Sequence, residues 1–364
     1  MDTATQLVFL TVVGARFLLP LLIPKFPLPA ILACLVLDGI DQTIFQTLGH
    51  DPPGYQGYDK AMDVFYLCVA YLSTLRNWAS GPAYQVARFL FFYRLVGVLA
   101  FELTQWRPLL VVFPNTFEYF FIGYEVVRLR WNPVHYGLRF WVWAAGLIWV
   151  VVKIPQEWWI HIAQRDFTET VQDVPWFGPA VVVGLLALLG VLWFAVRPRL
   201  DAVDWPWRVG ADPLPAEMDE ARERAAWTAA YGRVWSVATL EKVVLVGLIS
   251  VIYAEVLPGL DASGLSLFLG LAVFVVVNSG LALWAARATR TVESASAAFA
   301  VRVAVNTGLV LVGDWLLGRD DGGLNQAGAL FFVLLLSLIT SLHDRFWPVH
   351  DVRSAGARGP VPAR

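Results

Sequence analysis

Charge is what this sequence has least of. Of its 364 residues only 15% are Asp, Glu, Lys or Arg, against 58% hydrophobic. A soluble domain carries about 25% charged residues, so the composition excludes an ordinary soluble chain and predicts a polytopic membrane protein. Neither sign dominates, with a formal net charge of -2, and there is no basic stripe of the kind that binds nucleic acid. Cysteine is nearly missing. Cys34 and Cys68 both lie in apolar runs, supply neither a disulfide framework nor a zinc site, and read as packing residues. The 5 histidines leave no mid-span pair, which excludes bis-histidine haem ligation. Walker, HExxH, GxSxG and CxxC motifs are lacking. The opening MDTATQLVFLTVVGA has no positively charged stretch before its apolar run, so the first run is expected to be a retained span rather than a cleaved signal.

Hydrophobic runs are what the chain does have, together with 17 Trp and 23 Phe, residues that gather at the two water–lipid interfaces. A bilayer core takes about 20 apolar residues per helix. That window predicts an all-α transmembrane bundle of about eleven spans, near 5–23, 29–48, 60–77, 83–103, 107–127, 139–155, 177–196, 235–257, 263–285, 299–317 and 326–344. With the N-terminus outside, the inner segments collect 17 Lys and Arg and the outer segments 5. The positive-inside rule therefore predicts an outer N-terminus and a cytoplasmic C-terminus, in a multi-pass protein of the cell membrane.

Polar segments divide the chain. Residues 1–196 form a membrane part of seven spans. Residues 197–233 form a cytoplasmic linker, whose PAEMDEARERAAWTAAYGR stretch reads as an amphipathic helix with Pro215 and the acids Glu217, Asp219 and Glu220 at its start. Residues 234–346 form a second membrane part of four spans, and 347–364 a disordered cytoplasmic tail. The outer segment 156–177 (QEWWIHIAQRDFTETVQ and beyond) is expected to lie in the interface plane.

The two membrane parts differ in a way that bears on function. Within the first five spans sit Asp38, Asp41, Asp63, Arg88, Arg94, Glu102 and Glu118. An ionisable side chain at the bilayer centre costs about 2.5–3.5 kcal/mol or more, and marks a site or an internal ion pair. Asp38 and Asp41 stand at i and i+3, with Gln42 extending the face, and Asp59 and Asp63 at i and i+4 on the next span. Four carboxylates are thus expected to converge near the outer ends of the second and third spans. His50, Asp51 and Lys60 lie in or beside the connecting loop. Arg94 near mid-membrane needs an anion, and Asp38 at similar depth is the expected partner. Glu102 is expected to join the acids. Pro114 interrupts the fifth span, followed by Asn115, Thr116 and Glu118, a pattern that exposes backbone groups to a cavity. Glu157 and His161, at i and i+4, are placed to cover the site from outside. The charges of the later spans, Lys242, Glu255, Arg302 and Asp314, fall near span ends and suit a scaffold.

Hard cations and protons both take carboxylate oxygens. The sequence therefore points to a proton- or cation-coupled transporter of a small solute. Its alternatives are a Mg-dependent enzyme acting on a phosphate-bearing lipid carrier at the outer leaflet, and a structural or assembly protein. No cofactor is evident beyond Mg or a monovalent cation at the carboxylates.

Overall fold

Every hydrophobic run predicted above falls on helix in its described part, the fifth in two pieces. The computed structural model describes residues 3–47, 55–165, 167–191, 193–194, 197–256, 264–288, 295–317 and 326–356, and no strand occurs among them. The helices are α1 (Thr3–Leu18, running on as a 3-10 turn over Leu19–Leu22), α2 (Pro27–Thr47), α3 (Tyr55–Asn77), α4 (Gly81–Thr104), α5 (Pro108–Val112) and α6 (Thr116–Arg128). They are followed by α7 (Leu138–Ile162), α8 (Phe167–Asp173), α9 (Phe177–Val191), α10 (Ala221–Tyr231), α11 (Val237–Val256), α12 (Gly264–Arg287), α13 (Ala295–Leu317) and α14 (Gln326–Gly356).

Among the described residues, three helices are long and apolar enough to cross a membrane: α7, α11 and the Leu267–Arg287 part of α12. The chain is in this coarse sense a membrane protein. Helices α2, α3 and α4 have the length, at 21, 23 and 24 residues, but carry the acids and arginines described below.

Local chemistry sets the helix ends. Ser80 accepts from the Ala83 N–H, and Pro82 occupies the first turn of α4, where a missing donor costs nothing. That helix stops at Gln105, whose left-handed φ of 53° turns its N–H back to Phe101. Helix α10 begins at Ala221, after a 3-10 turn over Ala216–Met218, because Glu220 and Glu223 form a reciprocal capping box.

Helix α3 is the hub. It packs against α1, α2, α4, α6, α11 and α14, and its side chains from Ala61 to Leu75 are buried almost without interruption. The two membrane parts thus share one core. Lipid is as apolar as a leucine side chain, so helix association rests on close packing and interhelical hydrogen bonds. Both occur here. Tyr253 on α11 donates to the Ala61 carbonyl at 2.7 Å. A Cβ added at Gly97 on α4 would lie 2.0 Å from Phe113 Cβ, so only glycine lets the two backbones approach this closely.

Two expectations about segments change, and a third segment, the linker, shows contacts that the sequence alone does not give. The sixth run does not end near 155: α7 continues through π-helical stretches at Ile148–Lys153 and Trp158–Ile162. The segment Gln156–Ile162 therefore prolongs a span instead of lying separately in the interface plane. Lys153, Glu157 and His161 satisfy one another along that helix, so no polar residue forces it to stop. The chain after Trp347 is helical as far as Gly356. Val349 is buried there, and Arg353 donates to the carbonyls of Asn77 and Pro213. Finally, the linker is strapped to one end of the bundle. Ala211 N–H donates to Lys25 O, Trp131 Nε1 to Asp201 O and Asn132 N–H to Asp204. The buried Arg128 meets Glu125 at 2.7 Å, Asp212 at 3.3 Å and the Gly210 carbonyl at 3.1 Å.

Candidate functional site

The helical spacings of Asp38 with Asp41, and of Asp59 with Asp63, put each pair on one helix face. The packing of α1 against α2 and α3 then gives both faces the same partner. That partner is Arg16, near the end of α1. Its guanidinium contacts all four carboxylates: Asp38 and Asp41 from α2, Asp59 at 2.6 Å and Asp63 at 2.9 Å from α3. Arg16 and Asp41 are sealed within the protein, with Asp41 side-chain accessibility at 0%, whereas Asp38, Asp59 and Asp63 keep 26%, 35% and 34%. One edge of the cluster is thus an anchor and the other is open to approach. Oxygens of Asp38, Asp59 and Asp63 lie within 4.8 Å of one another, so these three can hold a metal ion. The donor set is all oxygen, which suits a hard cation. The Arg16 guanidinium, however, already supplies the positive charge they share.

Two further groups of predicted residues surround this one. Glu118 accepts from Tyr66 Oη at 2.5 Å and from Asn115 Nδ2 at 3.0 Å. Asn115 N–H donates to Glu157 at 3.1 Å, and His161 Nε2 lies 3.0 Å from the other oxygen of Glu157. Asn115, Glu118, Glu157 and His161 therefore form a second polar set, joined to α3 through Tyr66. Glu102 pairs with Lys60 at 3.0 Å, so this acid has its own cation rather than a place on Arg16. Gln42 lies on α2, while His50 and Asp51 fall outside the described residues.

The expected Asp38–Arg94 pair is replaced. Asp38 binds Arg16, and Arg94 Nη1 donates to the Phe113 carbonyl at 2.9 Å. The reason is the proline break between α5 and α6. Pro114 has no N–H and disfavours helix at Phe113, so the helix ends at Val112 and its last carbonyls need other donors. Tyr93 Oη takes the Val112 carbonyl at 3.0 Å and Arg94 takes that of Phe113. The break is sealed by side chains of α4 instead of being left open to a cavity.

Arg16 escaped the sequence reading. The available signal was four clustered acids against one adjacent cation, Lys60, and a lone arginine in the first apolar run. The later charges also prove to be more than isolated span ends. Glu241 accepts from Tyr71 Oη at 2.6 Å and pairs with Arg88 at 3.0 Å. Asp344 bridges Lys242 at 2.6 Å and Arg302 at 2.7 Å. These contacts join α3, α4, α11, α13 and α14 in a buried web.

Comparison with known protein families, characterised proteins and solved structures returns no match for this chain. Its function must therefore be argued from the site itself.

Proposed function

We propose that this is a multi-pass cell-membrane protein of eleven spans, with an outer N-terminus and a cytoplasmic C-terminus, and that it works as a proton- or cation-coupled transporter of a small solute. The observation that carries the reading is the convergence of Asp38, Asp41, Asp59 and Asp63 on Arg16. One guanidinium against four ionised carboxylates leaves a formal charge of −3 among apolar helices. Carboxylates this close cannot all stay ionised without further positive charge. Protons or a cation supply it, and enter at the accessible edge formed by Asp38, Asp59 and Asp63. Each charge taken up loosens the hold of α2 and α3 on Arg16, and so couples ion binding to the position of α1. Asp41, sealed against the guanidinium, keeps the helix attached during the exchange.

The span count and orientation rest on the eleven helical runs and on the basic-residue asymmetry. They gain support from the strap, which gathers Lys25, Asn77, Arg128 and Arg353 at one end of the bundle. Reporter domains fused after Arg199 and after Gly356 should both read cytoplasmic; an external signal at either site rules out the orientation.

A Mg-dependent enzyme acting on a lipid-linked phosphate is the second reading, favoured by the metal-capable trio alone. The basic residues it would need beside the acids are otherwise engaged, Lys60 with Glu102 and Arg94 with Phe113 O. Charge displacement on solid-supported membranes separates the readings. Proteoliposomes should give a transient current on a proton or Na⁺ jump, and Asp38→Asn or Asp63→Asn should abolish it. No current with either ion would exclude coupling. Mg-dependent phosphate release from a lipid diphosphate, without charge movement, would establish the enzyme. Silence in both assays would leave a structural or assembly role.

A further inference from the structure

A second polar feature lies at the opposite side of the sequence from the acid cluster. The first turns of α11 and α13, the last turns of α12 and the C-terminal third of α14 meet at one end of the bundle, with α10 laid across them. Between them is a cavity of about 900 Å³, within the size range of ligand pockets, roughly 300–1,000 Å³.

Its lining is positively biased. Arg224, Arg233, Lys242, Arg302 and Arg345 face it, against Asp344 and Asp351. Asp344 is consumed in holding Lys242 and Arg302. Arg345 has no described ion pair. Arg224, in the linker helix, is pushed below the usual arginine range by burial and next by the neighbouring Arg345 charge. Arg224 donates from Nη1 to the Met218 and Asp219 carbonyls, at 2.5 and 2.7 Å, with Asp219 and Glu223 as its nearest acids; its other donors and the Arg345 guanidinium line the same wall. The cavity also holds polar atoms whose hydrogen-bonding capacity is unused. His343 is fully buried, its Nε2 paired with Glu241 at 3.7 Å and its Nδ1 without a described partner, and Ser341 Oγ is likewise buried and unpartnered. Such groups are costly unless something meets them.

Most of the remaining lining is apolar or aromatic, including Trp227, Phe299 and Trp347, with hydroxyls from Thr228, Ser236, Thr239, Ser279 and Ser296 among it. Beside it Tyr231 and Trp235 are 70% and 81% exposed, the placement of aromatic side chains at a water–lipid interface. A pocket that combines a basic wall, unmet donors and an apolar floor at this level fits one ligand chemistry. We propose that it seats the phosphate headgroup of an anionic membrane lipid, with Arg345 and Arg224 against the phosphate and the acyl chains leaving over Trp227 and Phe299. Basic pockets between membrane helices are a general means of holding such headgroups.

The test compares three probes on the full chain in maltoside micelles: phosphatidylglycerol, phosphatidylcholine and inorganic phosphate. Phosphatidylglycerol should raise the melting temperature and be retained in native mass spectra, and the other two should not. Arg345→Gln removes an exposed guanidinium without breaking a described ion pair. It should weaken phosphatidylglycerol binding about tenfold, the loss of one charge-assisted hydrogen bond, with unchanged melting in phosphatidylcholine. Arg345→Lys should recover part of the affinity even if the Gln variant proves less stable. Equal protection by phosphatidylcholine, or unchanged phosphatidylglycerol affinity in both Arg345 variants, would overturn the proposal. Equal protection by inorganic phosphate would overturn the lipid as its ligand.

Discussion

Arg16 Nη2 and Asp63 Oδ1 lie 2.9 Å apart, though 47 residues separate them in the chain. The contact crosses from the first helix to the third, and Asp41 on the second closes the same guanidinium from the protein interior. Three helices are therefore tied through one cation, and the tie is made of groups that can change charge.

Removing that cation should be severe and pH-dependent. Arg16→Gln leaves four carboxylates without their shared counter-charge, a loss of about 3–5 kcal/mol for a buried pair. Ionised acids repel, so the variant should be weakest at about pH 8 and should regain stability toward about pH 5, as carboxylates take up protons. Melting curves in detergent at both values check this. A wild-type-to-variant gap that does not narrow on acidification would show that the acids are not held by Arg16.

Asp38 and Arg94 have different partners, and their substitutions should be independent. The melting losses of Asp38→Asn and Arg94→Gln should add in the double variant to within about 0.5 kcal/mol. Asp41→Asn combined with Arg16→Gln should instead be clearly non-additive. Rescue of folding in the Asp38→Asn, Arg94→Gln double variant would restore the direct pair that the geometry replaces.

Arg128 should control the linker. It pairs with Glu125, which is fully buried, and it holds Asp212 and the Gly210 carbonyl. Arg128→Gln should destabilise by about 3–5 kcal/mol through the orphaned Glu125 and free the strap. Limited trypsin digestion should then cut faster at Arg199 and Arg208. An unchanged rate at Arg208 would mean that the strap is held elsewhere.

The strap should also open in acid at a defined point. Asp204 is held below the usual carboxylate range, first by the Asn132 N–H and then by His135. A depressed folded-state value stabilises above the unfolded one and is lost as pH falls through it. Contacts between 201–205 and 131–135 should therefore persist at about pH 5 and fail below about pH 4. Pepsin cleavage within 201–205 should rise over that interval. Asp204→Asn should be cut at about pH 5 as readily as the wild type at about pH 3; a variant still protected at the higher pH would place the hold outside Asp204.

Much of this molecule is written locally. Hydrophobic runs of helical length gave the helices, because a run of 17 to 23 apolar residues has no other way to satisfy its backbone in lipid. The i, i+3 and i, i+4 spacings put Asp38 with Asp41 and Asp59 with Asp63 on shared faces, since helical periodicity is a property of neighbours in sequence. The break at Pro114 follows from one residue lacking an N–H. What tertiary packing alone decided was partnership. Nothing local distinguishes Arg16 from Arg94 as the cation for Asp38; the choice depends on which helix lies against α2, and on two freed carbonyls that claim Tyr93 and Arg94 first. Likewise Lys242 and Asp344 are 102 residues apart, and only the meeting of α11 with α14 turns two span-end charges into one wall of a cavity. Charge–charge contact is set by distance in space, which the sequence constrains only within a helix and its nearest turns.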